Sequence, residues 1–343
     1  MKKILSLVLI LALTLALVAC GGGENSSKPE ELSSTGYLAE EGVEIRFGTL
    51  KGPAGIGSAQ LLTKGANGET AQKIIPTIAA APDILVGQMA SGELDVAAVP
   101  SNLAAALYNQ TGGKIKTAAV TVLGNLYIVA KGDTNSVKTI ADLKGKKMTA
   151  SGKGAMPEVV LDLLLSDAGL TQEDLEITWL GEHAAVAGKF AAGETNLAVM
   201  GAVEIAMLPE PFISNTLDTV DGSIRLFDMN KEWERVTGNS LAMGALVVNA
   251  KFADEHPTAL TAFLNEYRES ADFANIEVDK NAEYCETLGI QPAATVKKST
   301  IHCNIVFVEG ASARTALEPL FKILFDANPK YVGGKLPDEN IFN

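Results

Sequence analysis

The chain has 343 residues, and at about 100–200 residues per domain two domains are expected. Its net charge of −13, without a basic stripe, excludes a nucleic-acid binder that works by phosphate neutralisation. It also means that any anionic ligand must be caught by local geometry, against the global field.

The N-terminus begins with Lys2 and Lys3, followed by an apolar stretch over residues 4–19 broken only by Ser6 and Thr14. That is the length of a signal-peptide core and is short of the roughly 20 residues of a membrane span. Leu17-Val18-Ala19-Cys20 resembles the bacterial lipobox, in which cleavage precedes the cysteine and the thiol carries the lipid. A plain secretory signal and an uncleaved anchor are the alternatives. GGGENSSKPEELSSTG, residues 21–36, has no apolar period and reads as a flexible tether. The expected division is therefore a signal peptide over 1–19 and a lipidated tether over 20–36.

From Val43 the pattern becomes strand, loop and helix in repetition, the grammar of an α/β fold. VEIRFGTL alternates Val43, Ile45 and Phe47 with polar partners and predicts a strand. A glycine-rich loop and a helix starting near Ser58 follow. AQKIIPTIAA predicts a second strand, weakened towards its end by Pro76. Pro82 opens a helix, LDVAAV is a short buried strand, and Ser101 or Asn102 is placed to cap the next helix. Residues 116–133 hold two apolar runs joined by Gly124-Asn125, read as a crossing between lobes. The grammar then restarts with a strand in LKGKKMTA, a second glycine loop SGKGAM, and a helix with Pro157 and Glu158 in its first turn. EITWLG, TNLAVMG, SIRLFDM and LAMGALVVNAKF are further strands, and HAAVAGKFAAGE is a helix. In the helical C-terminal third, Leu260, Phe263, Leu264 and Tyr267 share a face suited to core packing.

Gly52 and Gly57 have the outer spacing of a phosphate loop, but position 58 is Ser where such a loop needs Lys. The order Gly52, Gly55, Gly57 also fails the dinucleotide fingerprint. What remains is a strand-to-helix turn whose bare backbone can be touched by a ligand at a helix N-terminus, or simply a tight turn. Ser151-Gly152-Lys153-Gly154-Ala155 takes the same place in the second half. Lys51 and Lys153 bring one cation each, or are solvated surface charges. The three histidines, His183, His256 and His302, share no metal spacing, and His183 reads as a helix-end residue. No nucleophile elbow is present. Glu93 and Asp95 read as ordinary turn and surface positions. Outside the cytoplasm Cys285 and Cys303 could pair, or remain free buried thiols.

The lipobox, TIADLKGKKMTASGKGAMPEVVLDLLL, FAAGETNLAVMG, LPEPF at 208–212 and ALVVNAKFADEHPTALTAFLNEY together resemble the solute-binding lipoproteins of ABC importers. The nitrate, sulfonate, taurine and thiamine-precursor branch is the most similar. The resemblance implies a two-lobe α/β fold of the periplasmic-binding-protein type II class with a two-strand hinge. Lobe one would be 40–124 plus 226–343, and lobe two 125–225. It implies no enzyme activity, no cofactor and no metal. The implied partners are a small-molecule solute, an ABC permease, and the membrane through the N-terminal lipid, with the protein a monomer on the extracytoplasmic face. Carried over by position, the pocket uses Lys51, Gly52, Pro53, Gly55, Gly57, Ser101, Asn102, Asn125, Ser151, Gly152, Lys153, Gly154, Ala155 and Gly201, with Glu204 or Glu210. The sequence departs from the branch in an extra AVEIAML between Gly201 and Glu210-Pro211, which leaves open which glutamate reaches the cleft. The glycine loops and lysines suit an anion such as a sulfonate. The net charge and the glutamates suit a neutral or cationic heterocycle. An exported enzyme on the same fold, or a sensor with a degenerate pocket, are the rival readings.

Overall fold

The computed structural model describes residues 30–32, 36–193 and 203–342. The signal peptide, Cys20, Gly201 and the strand expected over 195–201 lie outside the described residues. The short strands β1 (Glu30–Leu32) and β2 (Leu38–Glu40) pair with each other. The first α/β unit then runs β3 (Glu44–Leu50), α1 (Pro53–Ala66), β4 (Lys73–Ala79), α2 (Pro82–Ser91), β5 (Val96–Pro100), α3 (Ser101–Gln110) and β6 (Ile115–Leu123). Gly124-Asn125 leads into β7 (Leu126–Lys131), and the second unit runs β8 (Lys147–Ser151), α4 (Met156–Asp167), β9 (Glu176–Leu180), α5 (His183–Ala191), β10 (Glu204–Pro209), α6 (Phe212–Thr219) and β11 (Ser223–Asp228). The chain returns through α7 (Met229–Thr237) to β12 (Ala242–Asn249). It ends in α8 (Ala250–Glu255), α9 (Pro257–Ile276), α10 (Val278–Thr287), α11 (Ala293–Cys303), β13 (Ile305–Glu309) and α12 (Gly310–Ala327).

The two units build two sheets, of order β13-β6-β12-β5-β3-β4 and β11-β7-β10-β8-β9. Each has three parallel strands in the order second, first, third. Each then takes one antiparallel strand that enters from the other half of the chain: β12 beside β5, and β7 beside β10. This is the two-lobed, mixed-sheet arrangement of type II periplasmic binding proteins. Strand β11 continues through Asp228, past the lobe boundary expected at residue 225.

Most elements follow the sequence pattern, and the departures have physical reasons. The first glycine loop is not a loop. Helix α1 begins at Pro53, so Gly55 and Gly57 lie inside its first turns and are buried. Only Gly52 needs glycine for its backbone, at φ 102°. Pro76 sits within β4, which is tolerable because β4 is the edge strand of its sheet. Pro100, not Ser101 or Asn102, takes the cap position of α3, and no side chain caps that helix. Asp95 is no surface residue. It is 5% exposed, and its carboxylate accepts from the Arg46 backbone N–H at 2.8 Å and from the Arg46 Nε at 2.9 Å, tying β3 to the lead-in of β5.

The apolar core of lobe one packs α1, α9, α10 and α11 on its sheet. There Phe47 meets Phe263 and Tyr267 edge-on, with ring centroids 5.2 and 5.9 Å apart. Cys285 and Cys303 belong to this core, and both are free and buried. The disulfide left open by the sequence is therefore absent, and each thiol packs as a small apolar group. Burial pushes the Cys285 thiol up to about 12 and the Cys303 thiol up as well, so neither is a thiolate at neutral pH. Alkylation of the native protein followed by peptide mapping should leave both residues unmodified. Unfolding without reductant should make both reactive, and a linked peptide would refute this packing.

Candidate ligand-binding cleft

The registers fix which sheet edges face each other. Pro100 pairs with Gly244 and Leu123 with Ala242, so β6 ends at the carboxyl edge of the parallel strands of lobe one. In lobe two Leu126 pairs with Pro209, and Asp228 with Tyr127. Both crossings, β6 to β7 and β11 to β12, therefore join the carboxyl edges of the two sheets. That is where ligands of open α/β sheets bind. Helices α1 to α6 all start at these edges, and none has a capping side chain at its N-cap position, although in α6 the carboxylate of the preceding Glu210 accepts from the first-turn Ser214 N–H.

The lobe-one wall starts at Lys51, which is exposed and whose N–H donates to the Ala79 carbonyl at 3.0 Å. Gly52 and Pro53 turn the chain into α1. Gly55 and Gly57 serve packing instead of exposing backbone: a Cβ on Gly55 would lie 2.5 Å from the Leu50 carbonyl oxygen, and one on Gly57 2.9 Å from Ile305 Cγ2. Ser101 is fully buried with an unpartnered hydroxyl, and Asn102 is half-buried. At the crossing, the Asn125 carbonyl accepts from the Glu210 N–H at 2.9 Å, and Asn125 Oδ1 is buried without a partner.

The lobe-two wall is a turn. Gly152 is at φ 84° and Gly154 at φ 75°, the left-handed region in which glycine is favoured. A Cβ on Gly152 would also meet Pro157 at 2.6 Å. The Gly154 N–H donates to Glu158 at 2.6 Å, Ala155 is the N-cap of α4, and Lys153 is exposed. Ser151, at the end of β8, is 2% exposed, and its Oγ lies 2.5 Å from His183 Nδ1. His183 is the first residue of α5, not its cap, and its ring lies 5.5 Å from that of Phe212, the first residue of α6. Burial holds the imidazole below its ordinary value, so it is neutral at pH 7.

The two glutamates separate cleanly. Glu204 opens β10, pairs with Lys131, and lies at the amino end of the strand, about 17–20 Å from the carboxyl edge. Glu210 follows β10 at that edge, but its carboxylate is committed. It accepts from the Ser214 N–H at 3.2 Å, from Ser214 Oγ at 2.9 Å and from the Arg225 guanidinium. The expectation that a glutamate here disfavours an anion therefore fails for Glu210, whose charge is met by Arg225. Burial still raises its carboxyl above the ordinary value of 4.5. Arg225 also lies over the Tyr127 ring, 5.1 Å from its centroid, and the Tyr127 hydroxyl donates to the His302 carbonyl at 3.0 Å. That bond joins β7 of lobe two to α11 of lobe one. Lys298 with Asp218, and Thr295 with Asn215, add contacts between α11 and α6.

Among the described residues no group of three or more His, Cys, Asp and Glu side chains could hold a metal ion. No helix among them is long and apolar enough to cross a membrane.

A family model described as NMT1/THI5 like matches residues 78–277, more than half of the chain. The chain belongs to that family. Solved structures that share its fold include the following three. An ABC transporter protein from Parabacteroides distasonis is 24% identical, with 87% of this chain and 98% of that one covered at a TM-score of 0.72. The periplasmic aliphatic sulphonate binding protein SsuA from Escherichia coli is 18% identical over 85% of this chain and 90% of its own, at 0.67. The alkanesulfonate-binding protein SsuA from Xanthomonas axonopodis pv. citri, bound to MOPS, is 18% identical over 88% and 96%, at 0.61.

In this NMT1/THI5-like chain Lys51 to Pro53, Ser101 and Asn102, Asn125 and Ser151 to Ala155 lie at the carboxyl edges, while Gly55 and Gly57 are packed inside α1 and Glu204 lies at the opposite end of β10. Sequence reasoning missed Arg225 and the pairing of His183 with Ser151. A charged residue inside the apolar alternation of SIRLFD was the available signal for Arg225, because an inward charge on a strand demands a partner. Nothing local in the sequence signals a contact between Ser151 and His183.

Proposed function

We propose that this chain is the solute-binding component of an ABC importer. It is anchored by lipid at Cys20 on the extracytoplasmic face, works as a monomer, and closes its two lobes on a small polar solute that a permease then receives. The observation that carries this reading is the facing of two carboxyl edges, lined with helix N-termini, across two crossings. Closure is a hinge motion, and the ligand shifts the open–closed population by its differential affinity.

An organic anion is the favoured solute class. Neither Lys51 nor Lys153 forms an ion pair among the described residues, and Glu210 is neutralised by Arg225. The sulfonate binders of like fold support the same class. Thermal melting against alkanesulfonates, nitrate, pyrimidines and amino acids tests the reading. A ligand at about 100 times its Kd should stabilise the protein by roughly 2.7 kcal/mol. A shift with one class names the solute, and no shift with any of the four sinks the importer reading.

The contact between Ser151 and His183 favours one rival, an exported hydrolase. It is the weaker reading, because a nucleophile must reach its substrate and Ser151 is 2% exposed. Its base would also need an orienting group on the second ring nitrogen, and His183 has none among the described residues.

A further inference from the structure

Three strand-to-helix junctions of lobe two converge on one imidazole. The β8–α4 junction supplies Ser151, β9–α5 supplies His183 itself, and β10–α6 supplies Phe212. The Ser151 hydroxyl has one proton, and within its reach among the described residues the only side-chain acceptor is His183 Nδ1. If Nδ1–H donated instead, that buried hydroxyl proton would be left unpaired, which costs free energy. The hydroxyl therefore donates, and the ring proton goes to the other nitrogen. Nε2 has no hydrogen-bond partner among the described residues.

Resting on the importer reading above, we infer that His183 is a specificity-determining residue of lobe two: Ser151 locks it in the Nε2–H tautomer, and that N–H donates to an oxygen of the bound organic anion. Phe212 packs against the ring and limits its rotation, so the donor direction is set before the solute arrives. A neutral imidazole fixed in this way favours hydrogen-bond acceptors at this point of the cleft. It disfavours solutes that present an N–H there, since two donors would then oppose each other.

The first test needs no solute. The full chain in mild detergent, labelled with 15N-histidine, is observed at pH 7.5 by long-range proton–nitrogen correlation. With three histidines in the chain, His256→Gln and His302→Gln complete the assignment. His183 should show the Nε2–H tautomer, and Ser151→Ala should abolish the preference. An Nδ1–H tautomer in the parent protein overturns the inference. The second test titrates ethanesulfonate. The His183 Nε2–H signal should move, and His183→Ala should weaken binding by about tenfold, the loss of one good charge-assisted hydrogen bond. His183→Gln, which keeps an N–H donor, should be affected less. Unchanged ethanesulfonate affinity in His183→Ala overturns the specificity role. If no solute class stabilises the parent protein, the importer reading and the anion contact fall together, while the tautomer spectrum still decides the Ser151–His183 bond independently.

Discussion

Replacing Arg225 with methionine should cost about 3 kcal/mol of unfolding free energy, because it leaves a buried carboxylate without its counter-charge. The Glu210 side chain is fully buried, and the Arg225 side chain is 24% exposed. The pair thus sits at the low end of the 3–5 kcal/mol range for breaking buried pairs. Ser214 keeps its two hydrogen bonds to Glu210, which also limits the loss. Methionine roughly keeps the volume, so the deficit is mainly electrostatic, with a smaller part from the contact with the Tyr127 ring. The pH dependence separates the two parts. Burial raises the Glu210 carboxyl above its ordinary 4.5, while Arg225 lowers it. Folded protein therefore holds a proton that unfolded protein has released, and stability contributed by this group falls as pH rises between the two values. Without Arg225 the folded value climbs further, and the cost at neutral pH deepens. Urea unfolding of Arg225→Met at a series of pH values should show a deficit that is largest near pH 7 and shrinks as the pH falls below the folded value towards 4.5. The double variant Glu210→Gln/Arg225→Met should recover most of the loss. A deficit constant from pH 4 to pH 8 would mean that packing alone was lost.

Arg225 also marks the limit of what the sequence discloses. The α/β grammar was legible because apolar alternation and helix-opening prolines are local signals, and Pro82 and Pro157 fall in first turns as read, whereas Pro53, read as part of a loop, also opens a helix. The crossing at Gly124-Asn125 was legible because two apolar runs meet there. The role of Glu210 was not. Its isolated carboxylate suggested a ligand contact, and only the pairing of β11 with β7 brings Arg225 to it. Asp95 was misread in the same way, because its partner Arg46 comes from a neighbouring strand. AVEIAML reads as an extra segment, whereas Glu204–Pro209 form β10, paired with β7 and β8. Tertiary partners decided each of these positions, and single-sequence periodicity does not carry them.

The glycines of the opening stretch give the last prediction, since their reading depended on the same distinction between local and tertiary cause. Glycine in a helix is worse than alanine by about 1 kcal/mol, which made residues 52–57 read as a loop. The structure places Gly55 in the first turn of α1 and Gly87 in the middle of α2, so alanine should help at both by propensity alone. Space decides otherwise. Around Gly87 nothing lies within 4 Å of an added Cβ, whereas at Gly55 it would meet the Leu50 carbonyl oxygen at 2.5 Å and Ile290 Cγ2 at 2.9 Å. A side chain could rotate away, but the Leu50 carbonyl belongs to the end of β3 and can move only with the strand. Overpacking of this kind costs about 1–3 kcal/mol, and a backbone obstacle puts it at the upper end, above the propensity gain. Gly87→Ala should therefore raise the urea midpoint by an amount equivalent to about 0.5–1 kcal/mol, and Gly55→Ala should lower it by about 1–2 kcal/mol. The two substitutions are chemically identical, so opposite signs measure the tertiary contact directly. Because α1 starts at the carboxyl edge, Gly55→Ala should also weaken any solute found by melting, while Gly87→Ala should not. Equal stabilisation by both would show that Gly55 is helical but that α1 and β3 do not approach each other this closely, and the tight packing of the lobe-one wall would be refuted.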